Sequence, residues 1–426
     1  MLHGSVACAR ISVTASTWIL LGLASWGALA SLTALLPGRH LKWGNVVWFA
    51  AALPVAELPL WHIALAALTV TALAGFGALA ALPGQLALAL VAASVLALLV
   101  VQWRARPSEP ILHAALEAAL GTGFEAAMAP QRRLLLADGE PRLRRLLTPF
   151  ALRSANVLRQ RDIRYGAHPE QTLDVYRAAK PVPGAAPLLI QLHGGGWVTG
   201  SKDDQALPLI YHLAARGWVV VAANYRLSPA ARFPEALIDG KRVVAWARQH
   251  AGEFGADPQF IAITGGSSGA HLAALVALTA DRPALQPGFE ELSTAVSACV
   301  PLYGVYDFLD RQGLRRDAGA MTEWLARTVM PPAAAAALWE LASPIAQCHA
   351  GAPPFLVLHG THDSLAKVEE ARQFVARLRS VSRSPVAYGE LPGAQHAWDL
   401  FHSVRCAATV RAVTQFLEWA RASQRR

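Results

Sequence analysis

Cysteine is scarce in this 426-residue chain. Cys8, Cys299, Cys348 and Cys406 are the whole complement, and no C-x-x-C spacing occurs. That excludes a disulfide-stapled scaffold and a cysteine-rich zinc module. Reduced, mostly buried thiols suit a catalytic domain on the cytoplasmic side. No metal-ligand spacing is apparent, and no cofactor is expected. Charge is sparse as well: 16% of residues are charged and 54% hydrophobic, a lean toward membrane composition. The net charge is +9, yet the basic residues are not interleaved with aromatics and no nucleic-acid motif is present. Much of the positive surplus falls in Arg104 to Arg164, directly after the last apolar segment. That placement fits an anionic membrane surface better than a nucleic acid.

The apolar residues are concentrated in the first quarter. Ile11 to Leu36 is an uncharged run long enough to cross a bilayer. A signal peptide is the competing reading, with Arg10 before the run and Ala28 and Ala30 within it. The length of the run and the further apolar segments argue against it. Trp61 to Leu82 and Leu86 to Trp103 are a second and a third span, with Pro83-Gly84-Gln85 predicted as a tight turn between them. Gly44 to Leu60 is apolar but interrupted by Pro54, Glu57 and Pro59, and reads as an interfacial or re-entrant piece or a poor fourth span. Arg39 and Lys42 follow the first span, and Arg104 and Arg106 the third. The positive-inside rule then places the large C-terminal domain in the cytoplasm for three spans or four. Trp18, Trp43, Trp48, Trp61 and Trp103 near segment ends fit interfacial anchoring. No charge lies deep in a clear span, so transport has little support. Residues 1–103 are thus expected to be a membrane anchor whose deletion, to residue 105, spares activity on small soluble substrates.

Residues 104–161 read as a basic helical linker, with apolar residues at helical spacing over Ile111 to Leu120 and Leu143 to Leu158. It is either a solvated connector or a cap lying on the membrane over the active site. From residue 162 the pattern alternates. Strands are predicted at Leu173 to Tyr176, Leu188 to Leu192, Val219 to Ala222, Ile261 to Thr264, Val296 to Leu302, Phe355 to Leu358 and Val386 to Leu391. Helices, such as Pro234 to His250 and Val368 to Ser380, lie between them. The alternation predicts an α/β fold over residues 162–426, a mostly parallel sheet flanked by helices. Residues 306–345 break the rhythm and read as a lid, with a helix over Ala320 to Val329 and with Trp324 and Trp339 either lining an acyl pocket or packing the insertion down.

In such sheets the reactive groups sit on loops past the carboxyl ends of strands. Gly265-Gly266-Ser267-Ser268-Gly269 fits G-x-S-x-G between a strand and a helix, where a sharp turn displays the central serine. His193-Gly194-Gly195-Gly196-Trp197 follows an earlier strand, and its glycines let backbone N–H groups converge where an oxyanion would form. Asp363, in His359-Gly360-Thr361-His362-Asp363, is placed to orient a histidine; Asp307 is the rival acid, and a helix cap is the structural alternative. His396, in Pro392-Gly393-Ala394-Gln395-His396, is the candidate base. His402, placed in the next helical run, is a weaker one, and His271 in the serine's helix reads as structural. The order is glycine loop, Ser267, Asp363, His396, the order of an α/β-hydrolase site.

These motifs, with Asn224-Tyr225-Arg226-Leu227-Ser228-Pro229, make residues 162 to 420 resemble the hormone-sensitive-lipase-like branch of the α/β-hydrolases, whose members carry an HGGG motif. The multi-span front end with this domain resembles membrane-associated lipase/esterase proteins of actinobacteria. Gly266 and Ser268 depart from that branch, which often has Asp and Ala there. The resemblance implies a serine carboxylic-ester hydrolase with Ser267, Asp363 and His396 as triad, N–H groups of Gly195, Gly196 and Ser268 as oxyanion hole, and His193 and Gly194 in the oxyanion motif. It implies a small-molecule or lipid ester as substrate and the bilayer as partner. An acyltransferase, a serine peptidase on the same fold, and a non-catalytic hydrolase-like binding module are the alternatives.

Overall fold

The computed structural model describes residues 13–38, 44–130, 132, 142–180, 184–315 and 318–425. Arg10, Arg39, Lys42 and Trp43, used above in the topology argument, lie outside the described residues. The front of the chain forms four helices: α1 (Ala15–Leu35), α2 (Gly44–Glu57), α3 (Pro59–Ala74) and α4 (Leu82–Ala105). Two helical stretches, Ala15–Leu35 and Leu82–Leu120, are long and apolar enough to cross a membrane. The second runs through α4 into α5 (Ser108–Leu120). α2 and α3 pass that test only as a pair, and they meet at 87°.

α1 and α4 run in the same direction. At one end Ser16 Oγ donates to Phe76 O at 2.9 Å and Thr17 Oγ1 to Ala78 O at 3.2 Å, tying α1's start to the turn before α4. At the other end Arg104 Nη1 donates to Leu35 O at 2.9 Å, so a cation meets a free carbonyl at a helix carboxyl end. The predicted turn at Pro83-Gly84-Gln85 is not where the chain turns. Pro83 sits in the first turn of α4, where its fixed φ and missing N–H cost nothing. The reversal comes earlier, after Ala74, with Gly77 at φ 76°.

A short helix, α6 (Arg142–Leu147), precedes the sheet. The strands are β1 (Val157–Arg164), β2 (Thr172–Ala178), β3 (Ala186–Leu192), β4 (Val219–Ala223), β5 (Ala256–Gly266), β6 (Ala298–Leu302), β7 (Phe355–Gly360) and β8 (Val386–Leu391). They form one sheet in the order β1-β2-β4-β3-β5-β6-β7-β8. β1, β2 and β4 pair antiparallel, and the sheet is parallel from β4 through β8. Burial explains the order. β3, β4, β6 and β7 are apolar runs buried along almost their whole length, as strands covered on both faces must be.

The covering helices are α7 (Leu207–Ala215), α8 (Glu235–His250), α9 (Ser268–Leu278), α10 (Ala318–Trp324), α11 (Ala336–Leu341), α12 (Val368–Val381) and α13 (Val404–Gln424). α12 shows the logic: Val368, Ala371, Phe374, Val375 and Leu378 form its buried stripe, with Glu369 and Glu370 in its first turn and Arg379 in its last.

Further expectations are corrected. Leu143 to Leu158 is not one helix: α6 stops at Leu147 and Val157 begins β1. β1 escapes prediction because it is an edge strand carrying arginines, with only three of its eight residues partly covered. His402 lies before α13, not within a helix; its N–H donates to Pro149 O at 3.0 Å. The segment expected as a helix from Ala320 to Val329 is α10 followed by a wider π-helical turn, Leu325–Val329. Residues assigned to the linker are built into the sheet's own core, since Leu112, Leu116, Phe124 and Met128 cluster with Leu356, Leu358 and Ala387.

Candidate active site

The chain leaves β3 toward β4 on one side and later returns to β5 on the other. The carboxyl ends of β3 and β5 therefore open a crevice at a topological switch point. Leu192 pairs with Gly265 there, so the loops that follow each strand start side by side. Ser267 has φ 57° and ψ −121°, a strained conformation for a residue with a side chain. It is held by its own N–H donating to Leu302 O at 3.0 Å and by His271 N donating to its carbonyl at 3.1 Å. Gly265 and Gly269 permit the turn. A Cβ on Gly269 would lie 2.1 Å from Leu192 O, and one on Gly265 would lie 2.4 Å from Gly269's carbonyl. Ser268 is buried, with its hydroxyl 3.4 Å from Tyr225 Oη, below the turn.

The glycine loop lies directly against this serine: a Cβ on Gly194 would come within 3.0 Å of Ser267 Cβ. Gly195 and Gly196 have φ 125° and 60°. Gly194 N–H donates to Gln205 Oε1 at 2.6 Å, and Gly195 O accepts from Thr199 N at 3.1 Å. Among the described residues the Gly195 and Gly196 N–H groups meet no protein acceptor. His193 shapes the loop instead of facing substrate. Its ring stacks on Tyr225 at 4.4 Å, and Nδ1 donates to Gly194 O at 2.8 Å. Burial lowers its pKa to about 4, so the ring is neutral. His271 is likewise scaffolding. Nε2 donates to Ala342 O at 2.8 Å and Nδ1 accepts from Trp197 Nε1 at 3.2 Å, with burial again lowering the pKa to about 4.

Asp363 follows β7 and His396 follows β8, and the two meet. His396 Nδ1 donates to Asp363 Oδ2 at 2.7 Å. The other oxygen, Oδ1, accepts from the backbone N–H groups of Leu365 and Ala366 at 2.9 and 2.8 Å. These bonds close the turn after β7 and do not cap α12, whose N-cap is Lys367 with no side-chain cap bond. Burial acts to raise its pKa, but His396 and His359 outweigh it and hold the carboxyl well below the usual range. Gln395 Oε1 ties the two loops together by accepting from His396 N and Ser364 N, both at 2.8 Å. Asp307, the rival acid, is engaged elsewhere, with Arg311 and the N–H groups of Leu309 and Arg311. Among the described residues no group of three or more His, Cys, Asp and Glu side chains is placed to hold a metal ion.

A family profile described as BD-FAE matches residues 173–378. LipM, a probable carboxylic ester hydrolase of Mycobacterium tuberculosis (strain ATCC 25618 / H37Rv), is 45% identical over 344 residues, 79% of this chain and 78% of LipM. Esterase LipQ of the same strain is 41% identical over 323 residues, 74% of this chain and 75% of LipQ. The chain belongs to this family of carboxylic ester hydrolases. The fold agrees: esterase B from Lactobacillus Rhamnosis (HN001) superposes with a TM-score of 0.53 at 18% identity, over 74% of this chain and 98% of that one.

In this esterase the environment of His396 contains three residues that the motifs do not reveal. Tyr303, after β6, lies edge-on to His396 at 4.7 Å between ring centroids and beneath Gly266. Its hydroxyl donates to Asp399 Oδ1 at 2.5 Å. Asp399 is fully buried, and burial raises its pKa. Phe49, from α2, meets the His396 ring edge-on at 5.8 Å. An aromatic residue just past a strand end was the only local hint of Tyr303; nothing near Phe49 signals a contact almost 350 positions away. Of the two tryptophans in residues 306–345, Trp324 lies nearer the glycine loop, 3.6 Å from where a Gly196 Cβ would be. Trp339 packs against Phe308 at 6.5 Å.

Proposed function

We propose that this chain is a membrane-anchored serine carboxylic-ester hydrolase working through an acyl-enzyme. The observation that carries the reading is the 2.7 Å bond from His396 to Asp363, made past the same sheet edge as the strained Ser267 turn. Because Asp363 occupies Nδ1, Nε2 is the nitrogen left for the serine. Ser267 Oγ attacks the ester carbonyl as His396 takes its proton. The N–H groups of Gly195, Gly196 and Ser268 bind the oxyanion, donors preorganised where negative charge develops. Collapse expels the alcohol, which receives the proton from His396. Water then attacks the acyl-enzyme with His396 as base, releasing the acid and restoring Ser267. Asp363, kept ionised by its histidines, stabilises the imidazolium in both halves.

In this reading residues 1–103 are the anchor. α1 and α4 cross the bilayer in the same direction, and α3 returns between them. With 16 residues, α3 is about 24 Å long and crosses only with help from the apolar turn that follows it. Arg39, Lys42, Arg104 and Arg106 follow the spans that end beside the catalytic domain, which places that domain, residues 162–426, in the cytoplasm. Residues 104–161, which include α5, α6 and the start of β1, lead into it, and 306–345 is its lid.

The test is hydrolysis of p-nitrophenyl esters by the full chain purified in detergent, beside Ser267→Ala. Turnover in the wild type and a loss of about 10³-fold or more in the variant is expected. Turnover kept in Ser267→Ala removes this reading.

A further inference from the structure

We propose that α2 forms the membrane-side wall of the substrate site, with Phe49 meeting the substrate beside His396, and that the substrate is a lipidic ester drawn from the bilayer. The inference rests on the esterase reading above and adds the substrate class.

Three contacts fix α2 against the catalytic loops. At its start, Ser364 Oγ, next to Asp363, donates to Asn45 O at 3.3 Å. At its middle, Phe49 meets the His396 ring. At its end, Arg405 bridges α2 to the histidine loop. Arg405 Nη1 donates to Glu57 Oε1 and Ala56 O, each at 3.0 Å, while Nε and Nη2 donate to Pro392 O at 3.0 and 2.9 Å. Ser403 Oγ donates to the other Glu57 oxygen at 2.7 Å. Leu53, between these points, belongs to the same buried cluster as Leu358, Leu391 and Trp398. A helix tied to both loops that carry the acid and the base is part of the site, not a tether.

Its orientation supplies the substrate class. α2 stands at 87° to α3. It lies at the end of the helical region where Arg104 joins α1's carboxyl terminus. If the long helices cross the bilayer, α2 lies in its surface plane, between lipid and catalytic domain. On α2, Val46 and Val47 remain 59% and 71% exposed, and Leu365, beside Asp363, is 37% exposed. An apolar surface therefore runs from the lipid face to the histidine, and the side chain that α2 presents to His396 is aromatic, not charged. Such a wall favours a long alkyl or acyl chain that stays in the leaflet while its ester bond reaches Ser267.

The test uses the full chain reconstituted in phosphatidylcholine–phosphatidylglycerol vesicles. Turnover of a long-chain diacylglycerol in the same vesicles is compared with that of p-nitrophenyl butyrate in the aqueous phase. Wild type should hydrolyse both, and Phe49→Ala should lower the ratio of bilayer to soluble turnover by about tenfold. An equal fall on both substrates, or no fall on either, overturns the role of Phe49. Hydrolysis of the butyrate alone by wild type overturns the lipid substrate and leaves the esterase reading intact. Hydrolysis of neither removes the esterase reading itself. A second measurement does not depend on catalysis: a bimane label at Val47→Cys, on a Cys8→Ser background, should be quenched by doxyl-labelled lipid. No quenching overturns the placement of α2.

Discussion

His359 Nε2 stands 3.3 Å from Asp363 Oδ2, the same oxygen that accepts from His396. The acid is therefore flanked by two imidazoles, one of them fully buried with its Nε2 also donating to Ala366 O at 2.9 Å. Burial alone would lower the pKa of His359; the hydrogen bond and charge of Asp363 raise it. The pair places a second positive influence on the carboxylate, one that does not need to move during a proton transfer.

For His359 the consequence concerns stability. A group whose pKa is raised in the folded state stabilises fully below the ordinary imidazole range, and loses that contribution as pH rises through the folded value. His359→Gln should therefore lower the melting temperature more at pH 6 than at pH 9. A gap that is constant with pH would mean that the proton on His359 contributes nothing.

For Asp363 the sign is opposite. A carboxyl held well below its usual range stabilises above that range and loses the contribution only as pH falls through the depressed value. The stability gap between wild type and Asp363→Asn should persist down to about pH 4 and close below it. In activity, Asp363→Asn should lose about 10³- to 10⁴-fold in kcat. Asp307→Asn, whose carboxylate faces Arg311, should stay within about threefold. Steady-state ester hydrolysis of both variants separates the two acids.

The second hydroxyl beside the nucleophile is turned toward the core. Ser268→Ala should change kcat by no more than about threefold, because its backbone N–H is retained. Loss comparable with that of Ser267→Ala would show that the two serines share the chemistry.

The Glu57–Arg405 pair predicts the fate of truncation. Both side chains are 1% exposed. Removing one partner of a buried pair leaves an uncompensated charge, at a cost of about 3–5 kcal/mol. Glu57→Gln should lose that order of stability in thermal unfolding, and Glu57→Gln with Arg405→Met should recover part of it. Deletion of residues 1 to 105 strands Arg405 and uncovers Leu53's neighbours, so the truncated protein should be recovered mainly as aggregate. Composition had suggested an anchor that could be cut away with soluble-ester activity spared; the contacts of α2 predict otherwise.

What the sequence determines by itself is local. Seven strands are legible, six of them in the parallel part of the sheet, where strands covered on both faces are apolar along their length, as Leu188 to Leu192 and Phe355 to Leu358 are. The order of the glycine loop, Ser267, Asp363 and His396 is legible because each sits where a strand run ends. β1 is not, because an edge strand with arginines carries neither a strand's alternation nor a core's hydrophobicity. The tertiary structure alone shows which of Asp363 and Asp307 meets His396, since both follow strands and only distance separates them. It alone brings His359 against Asp363, Tyr303 and Phe49 against His396, and α2 against both of their loops. Those contacts join residues four to nearly 350 positions apart, and only packing brings such pairs within reach.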